Sequence, residues 1–108
     1  MIFESLSAAA EAGELLLVDG GMCHFHRRRD GQVTIREIIV LPGHRRRGIG
    51  RQLVEQASQG GSSIVARCPA DLEAGNAFWG ALGFGIQYTE KTRAGRTINV
   101  WQKDGPCA

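Results

Sequence analysis

The stretch LPGHRRRGIGRQLVEQA, residues 41–57, decides how the rest of the chain is read. From Ile49 onward, apolar residues recur at helical spacing (Ile49, Leu53, Val54, Ala57), and the Gly60-Gly61 pair stops the run. Just ahead of that helix stand His44 and three consecutive arginines, Arg45, Arg46 and Arg47, with Arg51 inside its first turn. Positive side chains at a helix start oppose the helix dipole, so the placement is unfavourable unless an anion is present. The first backbone N–H groups of a helix have no partner within it, and they converge on such an anion. Gly48 and Gly50 carry no Cβ and let the backbone approach closely. The guanidinium groups add charge-assisted hydrogen bonds. The pattern predicts a polyphosphate site over residues 45–50. On spacing alone, a solvated basic turn is the competing reading.

Working outward, QVTIREIIVL (residues 32–41) is a long β-branched strand. Before it, ELLLVD and MCHFHRR are strands joined at Gly20-Gly21, and Asp30-Gly31 is a second turn, which makes a three-stranded antiparallel meander. Residues 3–12, FESLSAAAEA, read as a short helix ending near Gly13. After the central helix, SSIVARC is a short buried strand. A helix separates it from the preceding strand, so the two lie parallel as a β-α-β unit. Residues 73–82 form a second helix ending at Gly83, and FGIQYTEKT with RTINVWQK forms a hairpin around Ala94-Gly95. The class is α/β (α+β): a mixed, mostly antiparallel sheet around a central parallel β-α-β unit. With 108 residues and no linker or repeat, the expectation is one domain over residues 1–108.

Composition narrows the function. Hydrophobic residues at 43% and charged residues at 22% match an ordinary globular protein. No apolar run approaches the ~18 residues of a membrane span, and no basic region followed by an apolar core opens the chain; a cytoplasmic location and no membrane partner are expected. Cys23, Cys68 and Cys107 are odd in number and irregularly spaced, which suits reduced thiols rather than a disulfide framework or a zinc site. His24, His26 and His44 lack a carboxylate or cysteine cluster at ligand spacing, so no metal is expected. The net charge of +2 and the absence of regularly spaced stacking aromatics argue against a nucleic-acid partner. Arg27, Arg28 and Arg29, beside Asp30-Gly31, read as a solvated loop.

The segment IREIIVLPGHRRRGIGRQLVEQA resembles the signature of the GNAT superfamily of acyl-CoA-dependent N-acetyltransferases. In that family an Arg/Gln-x-x-Gly-x-Gly/Ala turn follows the fourth strand, and here the turn is Arg45-Arg46-Arg47-Gly48-Ile49-Gly50. NAFWGALGF, residues 76–84, is similar to the family's second landmark, a helix ending in Leu-Gly-Phe. The resemblance spans roughly residues 14–103. It implies acetyl-CoA as co-substrate, its pyrophosphate held by the amides of residues 45–50. It also implies that the pantetheine arm pairs with Ile39, Val40 and Leu41 like an added strand, which requires the flanking strands to splay apart. Asn76 and Phe78 are then expected to flank the arm's other side, although Phe78 equally fits plain core packing.

Two features depart from the family pattern. The tyrosine that usually protonates the leaving thiolate is replaced by Trp79, whose indole N–H is not a proton donor near neutral pH. Tyr88 is the only tyrosine available to substitute. The family's elements ahead of the meander are also shortened, which suggests an open acceptor groove, a large acceptor, or a wall supplied by a second subunit. Acylation needs a neutral amine, and an alkylamine titrates near ~10.4, so a base is required. Glu37 interrupts an apolar strand just before the cofactor-pairing segment and is the candidate, with burial expected to raise its pKa; a salt bridge to Arg36 or another arginine is its structural alternative. His24 and His26 share a strand face and could relay a proton. The expected activity is N-acetyl transfer to a primary amine by direct attack in a ternary complex. A CoA-binding protein with little catalysis is the alternative. TINVW, residues 97–101, is expected to form an open sheet edge that pairs two copies into a homodimer.

Overall fold

The computed structural model describes residue 10, residues 12–45 and residues 48–105. Most of the helix expected over residues 3–12, together with Arg46, Arg47 and Cys107, lies outside the described residues. The described elements are β1 (Leu15–Val18), β2 (Gly21–Arg27), β3 (Gln32–Val40), a 3-10 turn (Pro42–His44), α1 (Ile49–Ser58), β4 (Ser63–Pro69), α2 (Glu73–Ala81), β5 (Gly85–Lys91) and β6 (Thr97–Asp104). Strand and helix boundaries fall within a residue or two of those expected from periodicity.

The six strands form one sheet in the order β1-β2-β3-β4-β6-β5. Only β3 and β4 run parallel; every other pair is antiparallel. The hairpin order corrects one expectation. The strand of residues 97–103 is not an edge: β6 lies between β4 and β5, and the edges are β1 and β5. The reason is burial. Ile98 and Val100 are buried in β6, whereas β5 is exposed along nearly its whole length, with Gln87, Thr89, Glu90 and Lys91 to blunt an edge.

Both helices contribute to one core on one face of the sheet. Cys23, Phe25, Val33, Ile35, Ile64 and Ala66 rise from the strands to meet Leu53, Val54 and Ala57 of α1 and Trp79, Leu82 and Phe84 of the α2 segment. Leu53 is fully buried, so Leu53→Ala carries the ~2–5 kcal/mol typical of an emptied core site. The Lys103 ammonium donates to the Leu82 carbonyl at 2.8 Å, satisfying an end group of α2. Cys23 and Cys68 are free thiols, and burial pushes Cys23 up to about 12, which keeps it an inert core residue.

Regular alternation breaks once in β3, and the break positions the site. Phe25 pairs with Ile35, but the next residue back on β2, His24, pairs with Glu37, so Arg36 is an extra residue on β3. This is a β-bulge. Before it Val33 and Ile35 face the helices; after it Cys23 pairs with Ile38, so Ile38 and Val40 take over that face. Glu37 and Ile39 are thereby turned to the opposite face.

Candidate active site

The parallel pairing of β3 with β4 runs from Gln32–Ser63 to Ile35–Ala66 and ends there. Beyond it β3 continues to Val40 paired only with β2, and β4 continues to Pro69 paired only with β6. The two central strands therefore splay, and the gap starts at the bulge. Backbone groups alternate in direction along a strand. Since the Leu41 N–H bonds back to the Gly20 carbonyl at 2.8 Å, the polar backbone groups of Ile38 and Val40 point into the gap. The Val40 carbonyl is reached there by the Arg45 guanidinium, Nε to O 3.3 Å.

The gap leads directly to the start of α1. Gly48, at φ +73°, is the residue before the helix, no side chain caps it, and no acidic residue occupies the first turn. The first intrahelical bond is from the Gln52 N–H to the Gly48 carbonyl, 3.0 Å, which leaves the N–H groups of Ile49, Gly50 and Arg51 without a partner among the described residues. A cleft of about 540 Å³ joins the two features. Ile38 and Val40 form one wall; His44, Arg45, Gly48 and Arg51 lie at the helix start; Gly75, Phe78 and Trp79 of α2 form the other wall. This volume is ordinary for a small-molecule site.

The two glycines of the turn act for different reasons. Nothing lies within 4 Å of a Cβ added at Gly48, so its requirement is the left-handed backbone. A Cβ on Gly50 would stand 2.8 Å from Phe78 Cε1, so Gly50 admits the close approach of α2 to α1. Phe78 thus both packs on the core and lines the cleft.

Other expected residues are placed differently. The Ile39 side chain is on the face opposite the helices, and Leu41 is exposed beyond the strand end, so only Val40 of that trio lines the cleft. Asn76 is turned away from the cleft. Its Nδ2 donates to the carbonyls of Pro69 (2.9 Å), Leu72 (2.8 Å) and Ala70 (3.4 Å), while Oδ1 accepts from Asn99 Nδ2 (3.0 Å) and Trp101 Nε1 (2.9 Å). That network ties α2 to β4 and β6, and every polar atom of the amide is engaged. Tyr88 also stands apart: it is on β5, two strands past β4, about 10 Å at a strand spacing of ~4.8 Å. Trp79 is buried in the core, edge-to-face between Phe78 (4.9 Å) and Phe84 (5.0 Å).

Glu37 is partly buried on the face opposite the helices and makes no ion pair with another described residue. His24 is its cross-strand partner. His26, the next histidine on that face, pairs with Glu14 at 2.9 Å, and Arg67 on β4 pairs with Glu90. Arg28 bonds to Gln32 and Asp30 within its own turn, whereas the Arg27 guanidinium donates to the Ala57 carbonyl of α1 at 3.3 Å. Reading the sequence missed the gap-facing backbone of Ile38 and the role of His44. The His44 ring packs against Gly20, where a Cβ would lie 2.2 Å away, and its Nε2 is 3.9 Å from Asp19.

The profile of the Acetyltransferase (GNAT) domain family matches residues 4–86, well over half of the chain. No curated protein matches it in sequence. Among solved structures, it is similar to nourseothricin acetyltransferase, with 17% identity and a TM-score of 0.73 over 81% of this chain and 58% of that one. A Bacillus anthracis protein assigned as a streptothricin acetyltransferase, in complex with acetyl coenzyme A, aligns with 18% identity and a TM-score of 0.71 over 79% of this chain and 56% of that one. The ribosomal-protein-S18-alanine N-acetyltransferase of Escherichia coli aligns over 97% of this chain and 78% of its own, with 20% identity and a TM-score of 0.72. The chain spans less than two thirds of the first two of these proteins. At these identities the likeness is one of fold, and the profile match supplies the family: this chain belongs to the GNAT acetyltransferases.

Proposed function

We propose that the chain is an N-acetyltransferase that moves an acetyl group from acetyl-CoA to a primary amine by direct attack within a ternary complex. One observation carries this reading: the gap between β3 and β4 opens onto the uncapped start of α1. Gap-facing amide groups of Ile38 and Val40 suit an extended arm that itself carries amides, added as a strand would be. The free N–H groups of Ile49, Gly50 and Arg51, with the helix dipole and the charges of Arg45 and Arg51, suit a pyrophosphate at the arm's far end. Arg46 and Arg47 lie between these residues in the sequence.

On this reading the acetyl carbon sits where the strands part, beside Glu37. The amine lone pair attacks the thioester carbonyl, Glu37 accepts the proton the nitrogen sheds, and the C–S bond breaks to release CoA as thiolate. A thiolate is a good leaving group, so an enzymatic acid is not obligatory; of the two aromatic candidates, Trp79 packs in the core and Tyr88 is on the far edge strand. The same two placements favour a second reading, a CoA-binding protein with little turnover. The reading also includes a cytoplasmic site of action, where free thiols such as Cys23 and Cys68 persist. A homodimer belongs to it as well, now through the edge strands rather than β6.

The deciding experiment is acetyl-CoA-dependent release of free CoA thiol with a panel of amines, alongside thermal melts with and without acetyl-CoA. Turnover with any amine supports the transferase. A ligand-induced shift without turnover supports the CoA-binding reading. No shift at millimolar acetyl-CoA overturns both.

A further inference from the structure

The bulge at Arg36 does more than bend β3. In an uninterrupted ladder Glu37 would share the face of Val33 and Ile35 and point towards the helices. The extra residue turns it to the opposite face and sets it directly opposite His24, with Cβ atoms about 5 Å apart for such a pair. Both side chains are partly exposed. No ion pair joins them directly, so a proton passing between them needs a bridging water.

Among the described residues, His26 and Arg67 on this face have other partners. On β2, His26 is held by Glu14 at 2.9 Å; on β4, Arg67 is held by Glu90 of β5. Arg36 is exposed at the bulge itself, and the β1 residue paired with His24 is Leu15, which does not titrate. His24 is thus the titratable side chain facing Glu37 that no other described residue engages.

We infer that His24 is a positioning and proton-relay residue for Glu37. This rests on the transferase reading above. The proton shed by the acceptor nitrogen passes to the Glu37 carboxylate, then through one water to the His24 imidazole, and from the imidazolium to bulk water. Glu37 returns to its ionised form for the next turnover, and no other reactant is consumed. Imidazole suits the second position because its ordinary titration range spans neutral pH. His24 touches neither co-substrate nor acceptor, so its effect appears in turnover and pH dependence and not in acetyl-CoA affinity.

The test compares wild type, His24→Gln and, as control, His26→Gln in the thiol-release assay from about pH 5 to pH 9. His24→Gln is expected to lower kcat roughly tenfold or more, to leave the KM for acetyl-CoA and the ligand-induced thermal shift unchanged, and to alter the acidic limb of the pH–rate profile. His26→Gln leaves turnover unchanged. Added imidazole restores part of the rate of His24→Ala but adds nothing to wild type, a rescue that a purely structural role does not give. An active wild type with unchanged kcat and pH profile in folded His24→Gln, or an equal loss in His26→Gln, overturns the relay alone. A wild type that binds acetyl-CoA yet releases no thiol overturns the transferase reading, and the relay with it.

Discussion

Replacing Gly48 with glutamate separates the two properties of the α1 start, its backbone conformation and its charge. Gly48 has φ +73°, and an L side chain there costs ~1–2 kcal/mol of strain although nothing lies within 4 Å of its Cβ. A carboxylate at the helix start returns ~0.3–1 kcal/mol through the dipole. The free protein therefore loses only about 1 kcal/mol, a fall in Tm of roughly 4–8 °C for a domain of this size. Binding behaves differently. Two like charges 4 Å apart repel by about 4 kcal/mol at an effective dielectric of 20 and by about 1 kcal/mol in bulk water. Gly48 is exposed, so the loss of acetyl-CoA affinity should fall between roughly fivefold and 10³-fold. Wild type at about 100 times Kd gains ~2.7 kcal/mol from the ligand, and Gly48→Glu at the same concentration gains between about 1.8 kcal/mol (fivefold loss) and almost nothing (10³-fold loss). Gly48→Ala carries the strain without the charge and keeps most of the shift. Differential scanning fluorimetry with and without acetyl-CoA reads all three. A full ligand shift in Gly48→Glu would refute an anion site at this turn, and equal loss in Gly48→Ala would show that geometry rather than charge was removed.

Two further substitutions test Glu37 and Asn76. Glu37→Gln should reduce turnover by roughly 10²-fold or more while the acetyl-CoA-induced thermal shift stays at the wild-type value; unchanged steady-state kinetics in a folded variant would remove Glu37 from the chemistry. Asn76→Ala strands the Trp101 indole N–H and the Asn99 amide without their acceptor, and leaves three carbonyls short of a donor. It should cost ~2–4 kcal/mol in a chemical-denaturation series, with acetyl-CoA affinity retained; a large affinity loss at unchanged stability would restore Asn76 to the cofactor site.

Much of the fold was legible because period and punctuation agree. Three strands end at glycine turns, helical spacing begins at Ile49, and a helix between two strands implies a parallel pair. The edge assignment failed for a reason also written in the chain. TINVW reads as apolar and β-branched, which suits an interior strand, while GIQYTEK carries Gln87, Thr89, Glu90 and Lys91, which suit an edge. The bulge left a trace too: strict alternation from Val33 and Ile35 calls for an apolar residue at 37, and Arg36-Glu37 followed by Ile38 breaks it. Asn76 could not be read this way. Its five hydrogen-bond partners come from β4, β6 and the loop before α2, and no local pattern announces a contact made by folding. The proposed anion site is the reverse case, since Arg45, Gly48 and the start of α1 are adjacent in sequence and line one cleft.

One residue links the gap to the carboxylate beside it. β3 leaves β4 after Ile35–Ala66, and the next residue, Arg36, is the bulge. A bulged strand bends and twists locally, so the same insertion that aims Glu37 also accounts for the parting of the strands. Deleting Arg36 separates the two effects. In the shortened strand, Ile35, Glu37, Ile38, Ile39 and Val40 alternate without a break, so Ile38 and Val40 still face the helices and Glu37 still faces His24, in the register the ladder already has. Core burial is unchanged, and the melting temperature should hold or rise as β3 straightens. What is lost is the bend. Arg67, Cys68 and Pro69 of β4 then lie within reach of the β3 backbone, whose gap-facing groups at Ile38 and Val40 pair with protein instead of an added arm. The expected result is a folded protein with native-like circular dichroism, no acetyl-CoA-induced thermal shift and no turnover. A deletion variant that keeps the full shift would mean that the splay is held by packing of α1 and α2 across the gap, with Phe78 against Gly50 as the wedge, and that the bulge serves only to aim Glu37.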